Sequence, residues 1–168
     1  MMIKKTVLLS VFVIFSYSMF SIKAAENVDT EAEASDKTLL TSLFTVVLKC
    51  FKDADWGTCG EMLTVKYDIS QPKYKACTCH MACAGDELGL INKNGEGVPA
   101  KFLEYLNRTK NPSIKNELQV VYDKCQNVKG SDKCDLSEKF AICAFTESPA
   151  LKDRVTTLVQ TVMKMKQK

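Results

Sequence analysis

The sequence predicts an all-α protein, and three observations support this prediction. Apolar residues recur at the spacing of an amphipathic helix in several separate segments, and most of these segments follow a residue typical of a helix start. No segment shows the alternation of apolar and polar residues that a half-buried strand requires. The eight cysteines are distributed so that disulfides can join one helix to another.

Residues 1–25 have the pattern of a secretory signal peptide and are not expected to belong to the fold. A basic start at Lys4 and Lys5 precedes an apolar run from Thr6 to Phe20, and small residues follow it. The run is short for a membrane-spanning helix, so we expect no stable membrane insertion. The remaining residues are enough for a single domain, which we place at 36–168.

The positive charge of the chain belongs to this leader. It holds three of the 23 lysines and arginines and none of the 20 acidic residues, so the rest of the chain has 20 of each. A neutral mature chain has no basic face that would attract nucleic acid or an anionic membrane. We therefore expect no nucleic-acid partner.

The first half of the domain is predicted to contain three helices. Residues 26–35 are acidic and poor in apolar residues, so we expect a flexible arm that ends where Asp36 caps the first helix. Trp56 and Gly57 interrupt the chain, and a short second helix is predicted over Cys59–Val65. A third helix starts at Pro72, carries three cysteines and the only histidine, and is expected to stop at Gly85.

The second half is predicted to contain four more helices after a glycine-rich loop at 86–97. The first runs from about Pro99 to Leu106, the next opens at Asn111 and Pro112, and the third is capped by Asp132. The last is expected at about 149–166, with an apolar stripe and a basic end that suits the helix dipole. We expect this helix to pack on the bundle; lying on a membrane surface is the rival interpretation.

The cysteine spacing favours disulfides that interlock the helices. Cys79 and Cys83 lie one turn apart on the same helix and can reach different neighbours. Cys134 and Cys143 are nine residues apart, so on one helix they face opposite sides and need different partners. Eight cysteines allow about 105 pairings, and the spacing alone does not choose among them.

Six of the cysteines carry a specific resemblance. Cys50, Cys79, Cys83, Cys125, Cys134 and Cys143 are separated by 28, 3, 41, 8 and 8 residues. The segments Gly89–Gly95 and Asp132–Asp135 fit the same pattern. Over about residues 36–146 the chain resembles the insect odorant-binding proteins, the pheromone and general odorant binders.

The resemblance implies a compact orthogonal bundle of six to seven helices with interlocked disulfides around an apolar cavity. The implied pairs are Cys50–Cys83, Cys79–Cys134 and Cys125–Cys143. The two remaining cysteines would then form a fourth bridge, Cys59–Cys77. An extended-cysteine branch of the family usually has proline after its sixth cysteine. Ala144 stands there in this chain, so we do not assign it to that branch.

The expected function is that of a secreted, extracellular carrier for a small hydrophobic ligand such as an odorant, a pheromone or a lipid-like molecule. We expect no catalytic step, no cofactor and no metal, a protein that is a monomer or weak dimer, and a membrane receptor as a further partner. Tyr122 is the cavity candidate whose hydroxyl could hold a polar group of the ligand. The expected ligand-binding residues are Leu43, Phe44, Met81, Tyr122, Phe140, Phe145 and Leu158.

Parts of the sequence also fit three other functions. Cys77, Cys79, His80 and Cys83 could bind zinc, but a secreted chain favours disulfides instead. His80 could act as the base of a phospholipase-type hydrolase, although no residue near it in sequence would orient it. The third alternative is a defence or venom component that uses the same bundle without a dedicated ligand.

Overall fold

The described part of the chain consists of seven α-helices joined by short loops. The structure is a computed structural model that describes the backbone of residues 30–62 and 68–166 and the side chains of 36–62 and 68–160. The expected signal peptide at 1–25 and the first residues of the expected arm, 26–29, lie outside this range. The helices are α1 Thr30–Cys50, α2 Trp56–Met62, α3 Lys75–Glu87, α4 Pro99–Arg108, α5 Pro112–Cys125, α6 Lys133–Glu147 and α7 Pro149–Lys166.

The first helix begins earlier than expected. α1 starts at Thr30, so residues 30–35 of the expected flexible arm are helical and Asp36 is not the N-cap. The Asp36 side chain is instead buried and accepts hydrogen bonds from the backbone N–H groups of Lys110 (2.7 Å) and Asn111 (2.5 Å). A carboxylate is a good partner for two backbone donors wherever they lie, and here they come from the loop between α4 and α5.

Local start signals explain where three of the helices begin. Asp55 precedes α2 and accepts from the backbone N–H of Gly57 at 2.9 Å. Asn111 and Asp132 accept from the N–H groups three residues further on, at 3.1 and 2.8 Å, and so cap α5 and α6 as predicted. α2 starts three residues before the expected Cys59, and its expected end at Val65 lies outside the described residues.

α3 extends two residues beyond its expected stop. A three-residue turn from Pro72 leads into it, and it ends at Glu87 rather than at Gly85. The residue that turns the chain is Gly89, with a positive φ of 71°, while the N–H of Leu90 donates to the Gly85 carbonyl at 2.8 Å. This is the six-to-one hydrogen bond of a Schellman motif, which places the left-handed glycine after the helix.

α3 is the most cross-linked of the described helices, because three of the four disulfides join it to three other helices. Cys50–Cys83 joins it to the end of α1, Cys59–Cys77 to α2, and Cys79–Cys134 to the start of α6. The fourth bridge, Cys125–Cys143, joins the neighbouring helices α5 and α6. Three of these bridges are the pairs that the resemblance implies, the fourth joins the two cysteines that those pairs leave over, and all eight cysteines are used.

The result is an all-helical bundle, as predicted from the sequence. No β-strand is present in residues 30–62 and 68–166, where the β-structure is limited to an isolated bridge between Ile91 and Gly97. None of the helices described there is long and apolar enough to cross a membrane.

Candidate functional site

A cavity of about 400 Å³ lies between the helices, and its wall is almost entirely apolar. All seven helices contribute to the wall, together with the loop between α3 and α4. This volume is within the range of small-molecule binding sites in proteins. The cavity is therefore large enough to hold a ligand.

Aromatic side chains form two clusters on the cavity wall. In one, the rings of Phe51 and Trp56 are 5.6 Å apart. In the other, Phe102 stacks on Tyr122 at 5.9 Å and meets Phe140 edge-on at 6.1 Å. Aromatic pairs of this kind supply large apolar surface in a fixed geometry, which suits a preformed binding site.

The loop between α3 and α4 closes one side of the cavity. Leu90, Ile91 and Val98 face the cavity from this loop. The side-chain oxygen of Asn92 accepts from the backbone N–H groups of Asn94 and Glu96, at 2.9 and 3.0 Å. These bonds hold the turn together, so the loop forms an ordered part of the wall.

The last helix, α7, also forms part of the wall, through Val155, Leu158 and Val159. Arg154 anchors it to α5: its guanidinium donates to the carboxylate of Glu117 at 3.0 Å through both Nε and Nη2. The side chains are 29% and 13% exposed, so this two-pronged ion pair is partly shielded from water. The prediction that α7 packs on the bundle is therefore confirmed for its described side chains.

Six of the seven expected ligand-binding residues line the cavity. Phe44, Met81, Tyr122, Phe140, Phe145 and Leu158 are part of its wall, whereas Leu43 is not. Leu43 and Phe44 are adjacent on α1 and so point about 100° apart, and it is Phe44 that faces the cavity. Whether the six contact a ligand stays a prediction.

Several wall residues were not among those expected from the sequence. Trp56 was interpreted as a break in the chain, yet it begins α2 and lines the cavity. Phe102 is a large apolar residue within the helix predicted from Pro99 to Leu106 and could have been chosen on that ground. Leu90, Ile91 and Val98 lie in a loop without periodicity, so no sequence signal could have placed them at the cavity.

Charged groups are absent from the described wall, where Tyr122 is the one titratable side chain. The carboxylates with lowered pKa lie on the surface. The pKa of Asp135, for example, is lowered to about 2, chiefly by the hydrogen bond from Lys139 and then by the backbone N–H of Ser131. The described wall therefore contains no carboxylate and no imidazole.

The cysteines and the histidine of α3 have other partners in the structure. Cys77, Cys79 and Cys83 are held in disulfides, and among the described residues no group of three His, Cys, Asp or Glu could hold a metal ion. The Nδ1 atom of His80 lies 2.8 Å from the carbonyl oxygen of Cys50, which can only accept, so Nδ1 carries the proton. This hydrogen bond joins α3 to the end of α1. His80 is not among the residues that line the cavity.

The fold and the site together define a class: small helical proteins closed by four disulfides around an apolar internal cavity. The sequence profile of the PBP/GOBP family matches residues 33–147, about two thirds of the chain. The chain therefore belongs to this family, the insect pheromone and general odorant-binding proteins. The family consists of secreted binding proteins and not of enzymes.

The match to the family ends where α6 ends, so α7 lies beyond it. Neither the search of curated proteins nor the search of solved structures found a match to this chain.

Proposed function

We propose that the protein is a secreted carrier that captures one small hydrophobic molecule, an odorant, a pheromone or a lipid-like compound, in the cavity between its helices. The observation that carries the proposal is the apolar cavity of about 400 Å³, which aromatic and aliphatic side chains from the seven described helices surround. A dry cavity of about 150 Å³ holds benzene, with six carbons. By that ratio, this cavity takes a ligand of about 16 non-hydrogen atoms.

The driving force for binding is removal of ligand hydrocarbon from water. Burying about 500 Å² of apolar ligand surface contributes about 12 kcal/mol. Association costs at least about 4 kcal/mol in lost freedom of movement. The difference of about 8 kcal/mol corresponds to a dissociation constant near 1 μM.

Secretion is supported by the apolar leader at 1–25 and by the four disulfides, which persist in oxidising compartments. The proposal includes release of the ligand to a membrane receptor by a protein that is a monomer or weak dimer. Sedimentation of the oxidised protein with and without ligand tests the oligomeric state. A stable higher oligomer would contradict this part of the proposal.

The carrier function is tested by titrating the oxidised protein with a fluorescent naphthylamine probe and displacing the probe with alcohols, esters or aldehydes of about ten or more carbons. Trp56 is the only tryptophan in the chain and lines the cavity, so its emission gives a second readout of binding. We expect saturable binding in the micromolar range. Absence of saturable binding by the correctly bridged monomer would refute the carrier function.

Two matched variants test whether the ligand binds in this cavity. Ala84 on α3 lines the cavity, whereas Ala76 on the same helix is exposed. Ala84→Leu adds three carbons to the wall and should weaken probe binding severalfold, while Ala76→Leu makes the same change outside and should leave binding unaltered. Equal effects of the two substitutions would show that the probe binds elsewhere.

A further inference from the structure

Two segments of the chain have an asparagine followed, two residues later, by a serine or threonine. They are Asn107-Arg108-Thr109 at the end of α4 and Asn111-Pro112-Ser113 at the start of α5. This pattern is the acceptor motif for an N-linked glycan in secreted proteins, but a proline in the middle position abolishes it. Asn107 is therefore the one asparagine of the sequence that stands in an acceptor motif.

The Asn107 side chain lies on the outer face of α4. Glu104, Asn107 and Arg108 are all exposed, and spacings of three and four residues place them on one side of the helix. Phe102, which lines the cavity from the same helix, lies about 140° away around the helix axis. A glycan on Asn107 therefore extends into solvent and leaves the cavity open.

The two asparagines have different tasks in the folded protein. The side-chain oxygen of Asn111 accepts from the backbone N–H of Ile114 at 3.1 Å and caps α5, so this side chain is part of the fold. Asn107 lies in the last turn of α4, on its exposed side. A bulky polar group is tolerated at the surface position and not at the cap.

The third residue of the motif is held inside the folded protein. Thr109 is 5% exposed, and its hydroxyl donates to the carbonyl of Tyr105 at 3.0 Å. Because the motif requires this hydroxyl, the glycan has to be attached before α4 and the turn after it have folded. α4 carries no cysteine, so a glycan attached early does not crowd a disulfide that forms later.

We propose that Asn107 is an N-glycosylation site of the secreted protein. The sugar donor is an oligosaccharide joined through a diphosphate to a membrane lipid of the secretory pathway. The side-chain amide nitrogen of Asn107 loses one proton and forms a bond to the anomeric carbon of the first sugar. The bond between that carbon and the phosphate oxygen breaks, and the lipid diphosphate leaves. This inference rests on the proposed secretion of the chain, because donor and transferase belong to the secretory pathway.

The first test uses the full chain with its leader, expressed in insect cells and collected from the medium. The intact mass is measured before and after treatment with a peptide-N-glycosidase, and the treated protein is then mapped by peptide. We expect most molecules to be heavier than the polypeptide alone and to lose the excess on treatment. The enzyme leaves a carboxylate at the modified asparagine, so the map identifies position 107. A secreted protein with the mass of the polypeptide alone would overturn the inference.

Three variants assign the glycan to this motif. Asn107→Gln removes the acceptor and should lose the whole excess mass, whereas Thr109→Ser keeps the motif and should retain it. Asn116→Gln makes the same change as the first variant at another exposed asparagine, on α5, which is followed by Glu117 and Leu118 and has no motif. It should keep the glycan. Excess mass that persists in Asn107→Gln would show that the sugar is attached elsewhere.

The outward position of Asn107 gives a second readout. The secreted protein should bind the naphthylamine probe with the same affinity before and after enzymatic removal of the glycan. A severalfold difference would contradict the placement of the glycan outside the cavity.

This inference and the proposed function can fail separately. A secreted protein that binds the probe but has no glycan refutes only the site at Asn107. If the chain is retained inside the cells, its secretion is wrong and this inference falls with it.

Discussion

The Cys59–Cys77 disulfide offers the sharpest quantitative test of how the fold is stabilised. We consider the double variant Cys59→Ala/Cys77→Ala. In the chain-entropy description, a disulfide stabilises the native state by restricting the unfolded chain, to an extent set by the length of the loop it closes. This bridge has a sequence separation of 18, for which the relation gives a loss of about 3 kcal/mol when the bridge is removed.

Two other bridges provide internal controls. Cys125–Cys143 has the same separation of 18, so its removal should cost about the same. Cys79–Cys134 has a separation of 55, for which the relation gives about 4 kcal/mol. We therefore expect two nearly equal losses and a third that is larger by about 1 kcal/mol.

The two bridges of equal loop length should differ in their local effect. α2 has seven residues and is too short to be stable alone, so the Cys59–Cys77 bridge and the Asp55 cap hold it in place. Loss of this bridge should loosen α2 and expose Trp56 to a soluble quencher. Loss of Cys125–Cys143, which joins helices of 14 and 15 residues, should leave Trp56 protected.

The assay is urea unfolding without reductant, followed by far-UV circular dichroism, after peptide mapping has verified the remaining three bridges. The tryptophan quenching experiment uses the same samples in the absence of urea. The loop-entropy reasoning fails if removing Cys79–Cys134 costs less than removing either of the shorter loops. If loss of Cys125–Cys143 exposes Trp56 as much as loss of Cys59–Cys77 does, the Cys59–Cys77 bridge has no special role in holding α2.

Three further predictions concern α7, α1 and the surface. A chain that stops after Ser148 should keep its four disulfides and most of its helicity but bind the probe severalfold more weakly, because it lacks three wall side chains. If it binds as tightly and instead loses affinity for anionic vesicles, α7 is a membrane element. Asp36→Ala should lower the free energy of unfolding by about 2 kcal/mol, because it leaves two backbone N–H groups unpaired. Asp36→Asn keeps an acceptor and should cost less, so equal urea midpoints for the two variants would contradict this reasoning. The pKa of Asp135 is lowered from 3.8 to about 2 in the folded state, so its contribution to stability is present above pH 4 and is lost as the pH falls toward 2. In the Asp135→Asn variant, the free energy of unfolding should therefore fall less steeply between pH 4 and pH 2 than in the wild-type protein. An unchanged pH dependence would show that other groups determine it.

The starts of α5 and α6 were predictable because they depend on hydrogen bonds within a single turn. Asn111 and Asp132 accept from N–H groups three residues away, so their role can be inferred from neighbouring residues. Asp36 has an equally good capping side chain, yet its partners lie 74 and 75 residues further along the chain. Neighbouring residues could not show that this carboxylate is used in a long-range contact.

By itself the sequence determined the helical class and the approximate extent of five helices. Through the resemblance of six cysteine positions to a known family it also indicated three disulfides, which left Cys59 and Cys77 for the fourth. These properties depend on periodicity, caps and spacing, which are local or can be counted along the chain. Only the tertiary structure decided that the apolar stripes leave a cavity, since a stripe that packs against another helix and one that faces an empty space have the same period. It also decided that Phe44 and not Leu43 faces that cavity, and that loop residues such as Ile91 complete its wall. The positions of these side chains depend on how separate helices cross, and the disulfides and buried contacts between distant segments set that geometry.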